Sequence, residues 1–291
     1  YYIINVKCVS GGYKMHYKYN KLKTLGTKAA HLVTTLYEQN RPIFCLKEVQ
    51  KILGLDEASS RNFVRKLVNR GVVTRLKPGL FILVPFEMGK ESEYIGNPFV
   101  VAREIVGGGD YYLSYSTAME IHGMITQPRF VVYITTLRPR RSITAVGIEF
   151  RFIHSRKKYF FGLNDHWITK QEKVRVSDLE RTIIDGLKQP EYCGGLTEVA
   201  KGLWMRRHDV NINKLIRYAI RINIGSVIRR LGFLLELYKI GNPEEWEILR
   251  SHLTETYVRL DPLLSSEGKF LRKWRLQLNV SPEELLSIVG T

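Results

Sequence analysis

Apolar residues recur at helical spacing near the start of the chain. Leu25, Ala29, Leu32, Val33 and Leu36 form one stripe, which predicts a helix from about Thr27 to Glu38. Asn40-Arg41-Pro42 ends it, because proline cannot continue the hydrogen-bond ladder. Leu46, Val49, Ile52 and Leu53 predict a second, shorter amphipathic helix that begins at Cys45 and stops at Gly54. Cys45 and Glu48 have the spacing of a capping box, with a thiol in place of the usual hydroxyl. A third helix is expected from about Glu57 to Arg70, burying Phe63, Val64 and Leu67 and ending at Gly71. Two extended segments follow, Val72 to Leu76 and Leu80 to Val84. Lys77-Pro78-Gly79 joins them, and its Pro-Gly pair suits the centre of a type II turn. Three short helices followed by a basic-tipped hairpin is the order of a winged helix-turn-helix, placed here at residues 24–86.

The polar run from Glu87 to Gly96 reads as a linker, and residues 97–291 as a second domain. Short helices are predicted from Phe99 to Val106, closed by Gly107-Gly108-Gly109, and from Tyr115 to His122, capped by Gly123. Phe130 to Thr136 and Ile148 to His154 have strand composition. From Ser177 onward the period becomes helical. Ser177-Asp178-Leu179-Glu180 has the form of a capping box, and Leu179, Ile183, Ile184 and Leu187 make a buried stripe. Further helices are expected at Leu196–Met205, Ile212–Ile222 and Ser226–Lys239. Gly232 inside the last costs about 1 kcal/mol relative to alanine, which predicts that another backbone approaches there. Strands first and helices afterwards make the whole an α+β protein rather than a repeated βαβ fold.

Charge narrows the partners. The chain of 291 residues carries a formal net charge of +17, which favours a polyanionic partner, nucleic acid or a strongly acidic protein. No apolar run approaches the ~20 residues needed to span a bilayer, so no membrane association is expected. Cys8, Cys45 and Cys193 are odd in number and far apart, which fits neither a disulfide framework nor a zinc finger and makes a reducing cytoplasm the expected setting. Residues 1–23 are set aside as an N-terminal extension; they lack the long apolar core of a secretory signal.

The basic residues fall where a winged helix would use them. Arg61, Arg65 and Lys66 share one face of the third predicted helix. Ser59, Ser60 and Asn62 lie in its first half, where recognition helices meet base edges. Arginine can fork onto guanine, and asparagine can pair with adenine. Arg75 and Lys77 on the wing are placed to touch phosphate or the minor groove. Two more clusters, Arg138, Arg140 and Arg141, and Arg156, Lys157 and Lys158, lie near the ends of predicted strands. They suit contact with nucleic acid or with an acidic partner, or are solvated hairpin tips.

Nothing in the sequence assembles a catalytic centre. There is no P-loop, no GxSxG and no HExxH. Asp178, Glu180 and Asp185 are expected to scatter around their helix rather than gather a metal, and His122 and His166 to be structural. Gly107-Gly108-Gly109 has no preceding strand and reads as a loop rather than a phosphate cradle. The reading is a non-enzyme with no cofactor and no metal.

Several segments together resemble the AbiEi family of antitoxins from bacterial type IV toxin–antitoxin systems. They are Gly71-Val72-Val73-Thr74-Arg75-Leu76-Lys77-Pro78-Gly79-Leu80-Phe81, Tyr112 to Gly123, Val176-Ser177-Asp178-Leu179-Glu180-Arg181-Thr182-Ile183-Ile184-Asp185-Gly186-Leu187, and Arg229 to Glu236. The match spans about residues 24–240; residues 1–20 and the tail from Gly241 onward lie outside it. The resemblance implies an N-terminal domain that represses its own operon by binding inverted repeats in promoter DNA. It further implies a C-terminal domain that neutralises a nucleotidyltransferase-like toxin, in a system class defined by antitoxins that form no stable complex with the toxin. Two other functions compete. One is a winged-helix transcription factor whose C-terminal domain senses a ligand or partner; the other is a nuclease with a winged-helix targeting domain, for which no converging acidic set is found.

Overall fold

The computed structural model describes residues 25–125 and 130–287. The N-terminal extension expected at residues 1–23 lies outside the described residues. The architecture is α+β, in two compact units: residues 25–75 with 81–94, and residues 76–80 with 95–287.

In the first unit, α1 (Thr27–Glu38) buries Ala29, Leu32, Val33 and Leu36, the stripe that the spacing predicts. A short strand that the pattern does not reveal, β1 (Ile43–Cys45), leads into α2 (Leu46–Leu53). The Glu48 carboxylate turns back to accept from the Cys45 backbone N–H at 2.8 Å, which is the glutamate half of the expected box. α3 (Glu57–Asn69) buries Ser60, Val64 and Leu67, while Phe63 is only half-buried. β2 (Val73–Lys77) and β3 (Leu80–Leu83) complete a three-stranded sheet in the order β1-β3-β2. Phe44, Val72, Val73, Phe81 and Leu83 close the core over the three helices.

The second unit opens with α4 (Pro98–Val106), whose Asn97 cap accepts from Phe99 N–H at 2.9 Å. Gly107, Gly108 and Gly109 then run at φ of 69°, 95° and 92°, a left-handed path that residues with a Cβ resist. It delivers the chain into β4 (Tyr111–Leu113) and α5 (Tyr115–Ile121). β5 (Val131–Thr136), β6 (Ile143–Ala145), β7 (Ile148–His154), β8 (Leu163–Trp167) and β9 (Lys173–Ser177) follow. Together these strands make a six-stranded mixed sheet in the order β6-β7-β5-β4-β9-β8. β5 runs parallel to β7, and β4 parallel to β9; the other neighbours are antiparallel.

The helix that leaves β9 is the hub of this unit. α6 (Leu179–Lys188) packs against α5, α7 (Leu196–Met205), α8 (Ile212–Ile222) and α9 (Gly225–Leu237). With neighbours on every side, all residues from Glu180 to Leu187 are buried, polar ones included. Its cap differs from the expected box. Asp178, not Ser177, sits at the N-cap and accepts from Arg181 N–H at 2.8 Å. Ser177 is still strand, and its hydroxyl meets that of Thr182 at 2.8 Å. Glu180 is drawn away from the cap: it accepts from Asn211 N–H at 2.9 Å and pairs with Lys214 at 2.8 Å.

Residues 241–287, outside the family resemblance, carry regular elements. α10 (Pro243–Arg250) is capped by Asn242, and β10 (Val258–Arg259), β11 (Lys269–Leu271) and β12 (Leu276–Leu278) form a small sheet before α11 (Pro282–Ser287). Two buried arginines of α9 hold this segment by carbonyl oxygens. Arg229 reaches Thr254 and Thr256 at 2.9 and 2.8 Å, and Arg230 reaches Leu260 at 2.8 Å while also donating to Leu187 of α6 at 2.7 Å. Burial without a carboxylate contact lowers the Arg230 guanidinium to about 10. Gly232 on the same helix makes room for a side chain and not, as the sequence suggests, for a backbone: a Cβ there would collide with the Trp274 indole ring.

Candidate nucleic-acid interface

α3 begins with a cap that also governs its exposed face. The Asp56 carboxylate accepts from the Ser59 backbone N–H at 2.8 Å and from the Ser59 hydroxyl at 2.7 Å. These bonds hold the Asp56 carboxyl below the usual carboxylate range. A group whose pKa is depressed by folding stabilises the fold above its unfolded value, and that contribution is lost as pH falls through the folded value. The Asp56→Ala variant is therefore expected to unfold at a lower temperature than the parent at neutral pH. The gap should close as acid protonates Asp56 in the parent; a gap that stays constant down to pH 2 would refute the assignment. Asp56, directly before Glu57, is a residue type suited to an N-cap.

One turn further, Arg61 pairs with Glu57, and the Arg65 guanidinium donates to Asn62 Oδ1 at 3.1 Å. Arg61, Asn62, Arg65 and Lys66 are all exposed along one face of the helix. Arg75 joins them in exposure, between the buried Thr74 and Leu76 of β2. Ser59 is exposed with its hydroxyl already bonded to Asp56.

Two of the sequence-predicted residues are placed otherwise. Ser60 is fully buried against the core, where its hydroxyl has no hydrogen-bond partner, so it is no candidate for a base edge. It does lie in the first half of α3, as the sequence suggests, but on the side that faces the core. Lys77 is half-buried, and its ammonium donates to the Ile105 carbonyl oxygen at 2.6 Å. Burial, and then repulsion from Arg140, lower its pKa. The hairpin tip, residues 76–80, belongs to the second unit, and Lys77 is held within it through Ile105.

The remaining basic residues gather at one end of the six-stranded sheet. Thr136 and His154 are partners at the ends of parallel β5 and β7. Arg138, Arg140 and Arg141 follow the first, and Arg156, Lys157 and Lys158 follow the second; all six are exposed. Arg140 lies over the Phe152 ring, 5.9 Å from its centre.

The acidic residues of α6 do not converge on a metal. Asp178 and Glu180 meet on Lys214, at 3.1 and 2.8 Å, closer together than their expected scatter, whereas Asp185 is taken by Arg181 at 2.9 Å. Burial alone would raise the Glu180 carboxyl, but Lys214 and the Asn211 N–H outweigh it and hold it low. No group of three metal-ligating side chains exists among the described residues. His122 bonds the Ser177 carbonyl oxygen at 2.7 Å, and burial lowers its pKa. His166 is exposed on β8. No helix among the described residues is long and apolar enough to cross a membrane.

An α+β protein with these basic surfaces has a structural counterpart. The fold is shared with the solved RV2827C protein from Mycobacterium tuberculosis, at a TM-score of 0.68 and 17% identity, covering 92% of this chain and 96% of that one. No family model matches the chain, and no curated protein does.

Proposed function

We propose that the chain is a type IV antitoxin of the AbiEi kind that also represses its own operon. On this reading residues 25–84 form a winged helix-turn-helix, with α3 as recognition helix and β2–β3 as wing. The observation that carries the reading is the exposed face of Arg61, Asn62, Arg65 and Lys66 on a capped helix directly before a hairpin bearing exposed Arg75. Two of these side chains start with partners. Arg61 must leave Glu57, and Arg65 must leave Asn62, before either can fork onto a base. Both partners are surface groups whose loss is cheap.

The reading is tested by gel-shift titration on the DNA upstream of the gene, with a scrambled duplex as competitor and at several salt concentrations. Sequence-preferring, saturable binding supports it; equal, salt-erased binding to both duplexes refutes it. Arg65→Ala is expected to cost about 1–3 kcal/mol on the specific duplex. Lys66→Ala should weaken all duplexes alike and reduce the salt slope by about one. Ser60→Ala and Lys77→Ala should change neither affinity nor slope. Rescue of growth when the chain is co-expressed with the adjacent nucleotidyltransferase-like gene tests the antitoxin half. A ligand-sensing transcription factor would rescue nothing.

A further inference from the structure

The second unit carries a basic surface that the duplex reading leaves unused. Its centre is the segment 156–161 after β7. Lys158 and Lys188, from the end of α6, both lie over the Tyr159 ring, at 4.8 and 5.3 Å from its centre. Phe161 packs edge-on against Tyr218 of α8 at 5.0 Å, and Arg221 stacks over its ring at 3.9 Å. Arg156 and Lys157 directly precede Lys158 in the chain, Arg217 lies one helical turn before Arg221 on α8, and all three are exposed.

The way these cations are held matters. A ring face attracts a cation through its quadrupole and leaves the charge whole, whereas a carboxylate neutralises it. Among the described residues none of Arg156, Lys157, Lys158, Lys188, Arg217 and Arg221 has an ion-pair partner, although Lys214 beside them is saturated by Asp178 and Glu180. The surface is thus an array of unneutralised charges fixed by aromatic rings. Tyr159, Phe160 and Tyr218 are themselves partly exposed between the cations. Phosphates spaced along a strand answer the charges, and unpaired bases answer the rings, because every base has a π-face. A duplex offers the phosphates but keeps its bases stacked inside. An acidic polypeptide offers charge and nothing for the rings.

We infer that this surface binds a single strand of nucleic acid, the lysines that now cover Tyr159 swinging out with the arginines onto backbone phosphates and freeing the ring for a base, with further bases against the exposed parts of Phe160 and Tyr218. It is a separate site from the α3 face, on the other compact unit, and does not require promoter DNA.

The experiment is fluorescence anisotropy of the full chain with a labelled mixed-sequence 20-nucleotide RNA, the DNA strand of the same sequence, and its duplex. Wild type is expected to bind at least one of the single strands more tightly than that duplex, and the two strand arms identify which sugar is preferred. Lys158→Glu combined with Lys188→Glu should weaken single-strand binding at least tenfold and flatten its salt slope. Tyr159→Leu, which keeps the charges and removes the ring, should weaken it several-fold. Arg65→Ala should leave it unchanged while weakening the specific duplex, so the two sites fail independently. Thermal unfolding of each variant verifies that the fold is kept, and Arg221→Gln serves as the milder charge variant where the double one unfolds. Three results overturn the inference: single-strand affinity unmoved in the folded variants, equal losses on single strand and duplex, or displacement of the strand by poly-glutamate as effective as by unlabelled RNA of equal charge.

Discussion

The Asp185→Ala variant is expected to lose about 3–5 kcal/mol of stability, the range for breaking one side of a buried ion pair. Arg181 and Asp185 are each 1% exposed in their side chains and meet at 2.9 Å one helical turn apart on α6. The guanidinium has little else. Its Nη2 also lies 3.3 Å from the Tyr112 hydroxyl, and its Nε and Nη1 have no hydrogen-bond partner. What remains is the face of Phe161, 4.4 Å below it. Burial acts to strip its proton, yet the Asp185 charge outweighs that and raises its pKa above the ordinary arginine value. Removing Asp185 leaves a full charge buried among rings, and a guanidinium cannot shed its proton to escape. Removing the arginine instead is a different injury, because the carboxyl left behind can take up a proton. Arg181→Met should therefore regain stability as pH falls, since its folded state then binds the extra proton, while Asp185→Ala should not. Arg181→Met with Asp185→Leu should recover most of the loss. Chemical denaturation at pH 5 and pH 8 measures all of this; an Asp185→Ala variant within about 1 kcal/mol of wild type would remove α6's pair from the account of stability.

Gly232→Ala should destabilise the chain by about 1–3 kcal/mol, although intrinsic propensity alone favours alanine at a helix interior by nearly 1 kcal/mol. The sign is decided by Trp274. Its indole is fully buried directly beneath Gly232. It cannot slide, because its Nε1–H is held by Glu236 Oε2 at 2.6 Å, and Lys273 pairs with the other oxygen of the same carboxylate. A smaller ring should relieve the clash. In Trp274→Leu the cost of Gly232→Ala should shrink or change sign, and a double-mutant cycle by urea denaturation measures that coupling. Additive effects would mean that Gly232 is present for some reason other than the indole.

These two residues also mark how far the sequence could be read. Helices with a clean apolar stripe were found to the residue: Thr27–Glu38, Leu196–Met205 and Ile212–Ile222 have the bounds that their periodicity predicts. Short strands were not. Tyr111–Leu113 is buried throughout, so it has no alternation to show, and Leu163–Trp167 is a polar edge. Lys173–Ser177 does alternate, exposed at Lys173 and Arg175 and buried at Val174 and Val176, but the helix signal beginning at Ser177 hid it. The α+β class follows from composition and order; which strand sits beside which depends on contacts about 60 residues apart, which no local pattern carries. The α3 face was visible as spacing. The burial of Ser60 and the tie from Lys77 to Ile105 were not, since both come from packing.

The strand order has a consequence during synthesis. β4 joins β5 soon after both leave the ribosome, but its other edge pairs only with β9, at Leu113 against Val176. At roughly 5–20 residues per second, the intervening chain takes on the order of several seconds to a dozen to emerge. Through that interval the nascent sheet presents an unpaired central edge, and Tyr112 lacks the contacts with Arg181 and Asp185 that α6 later supplies. The polypeptide is then at its most adhesive, and a translational pause between residues 115 and 175 would prolong the exposure. Ribosome-bound intermediates halted there should recruit a holdase chaperone, and those halted past α6 should release it.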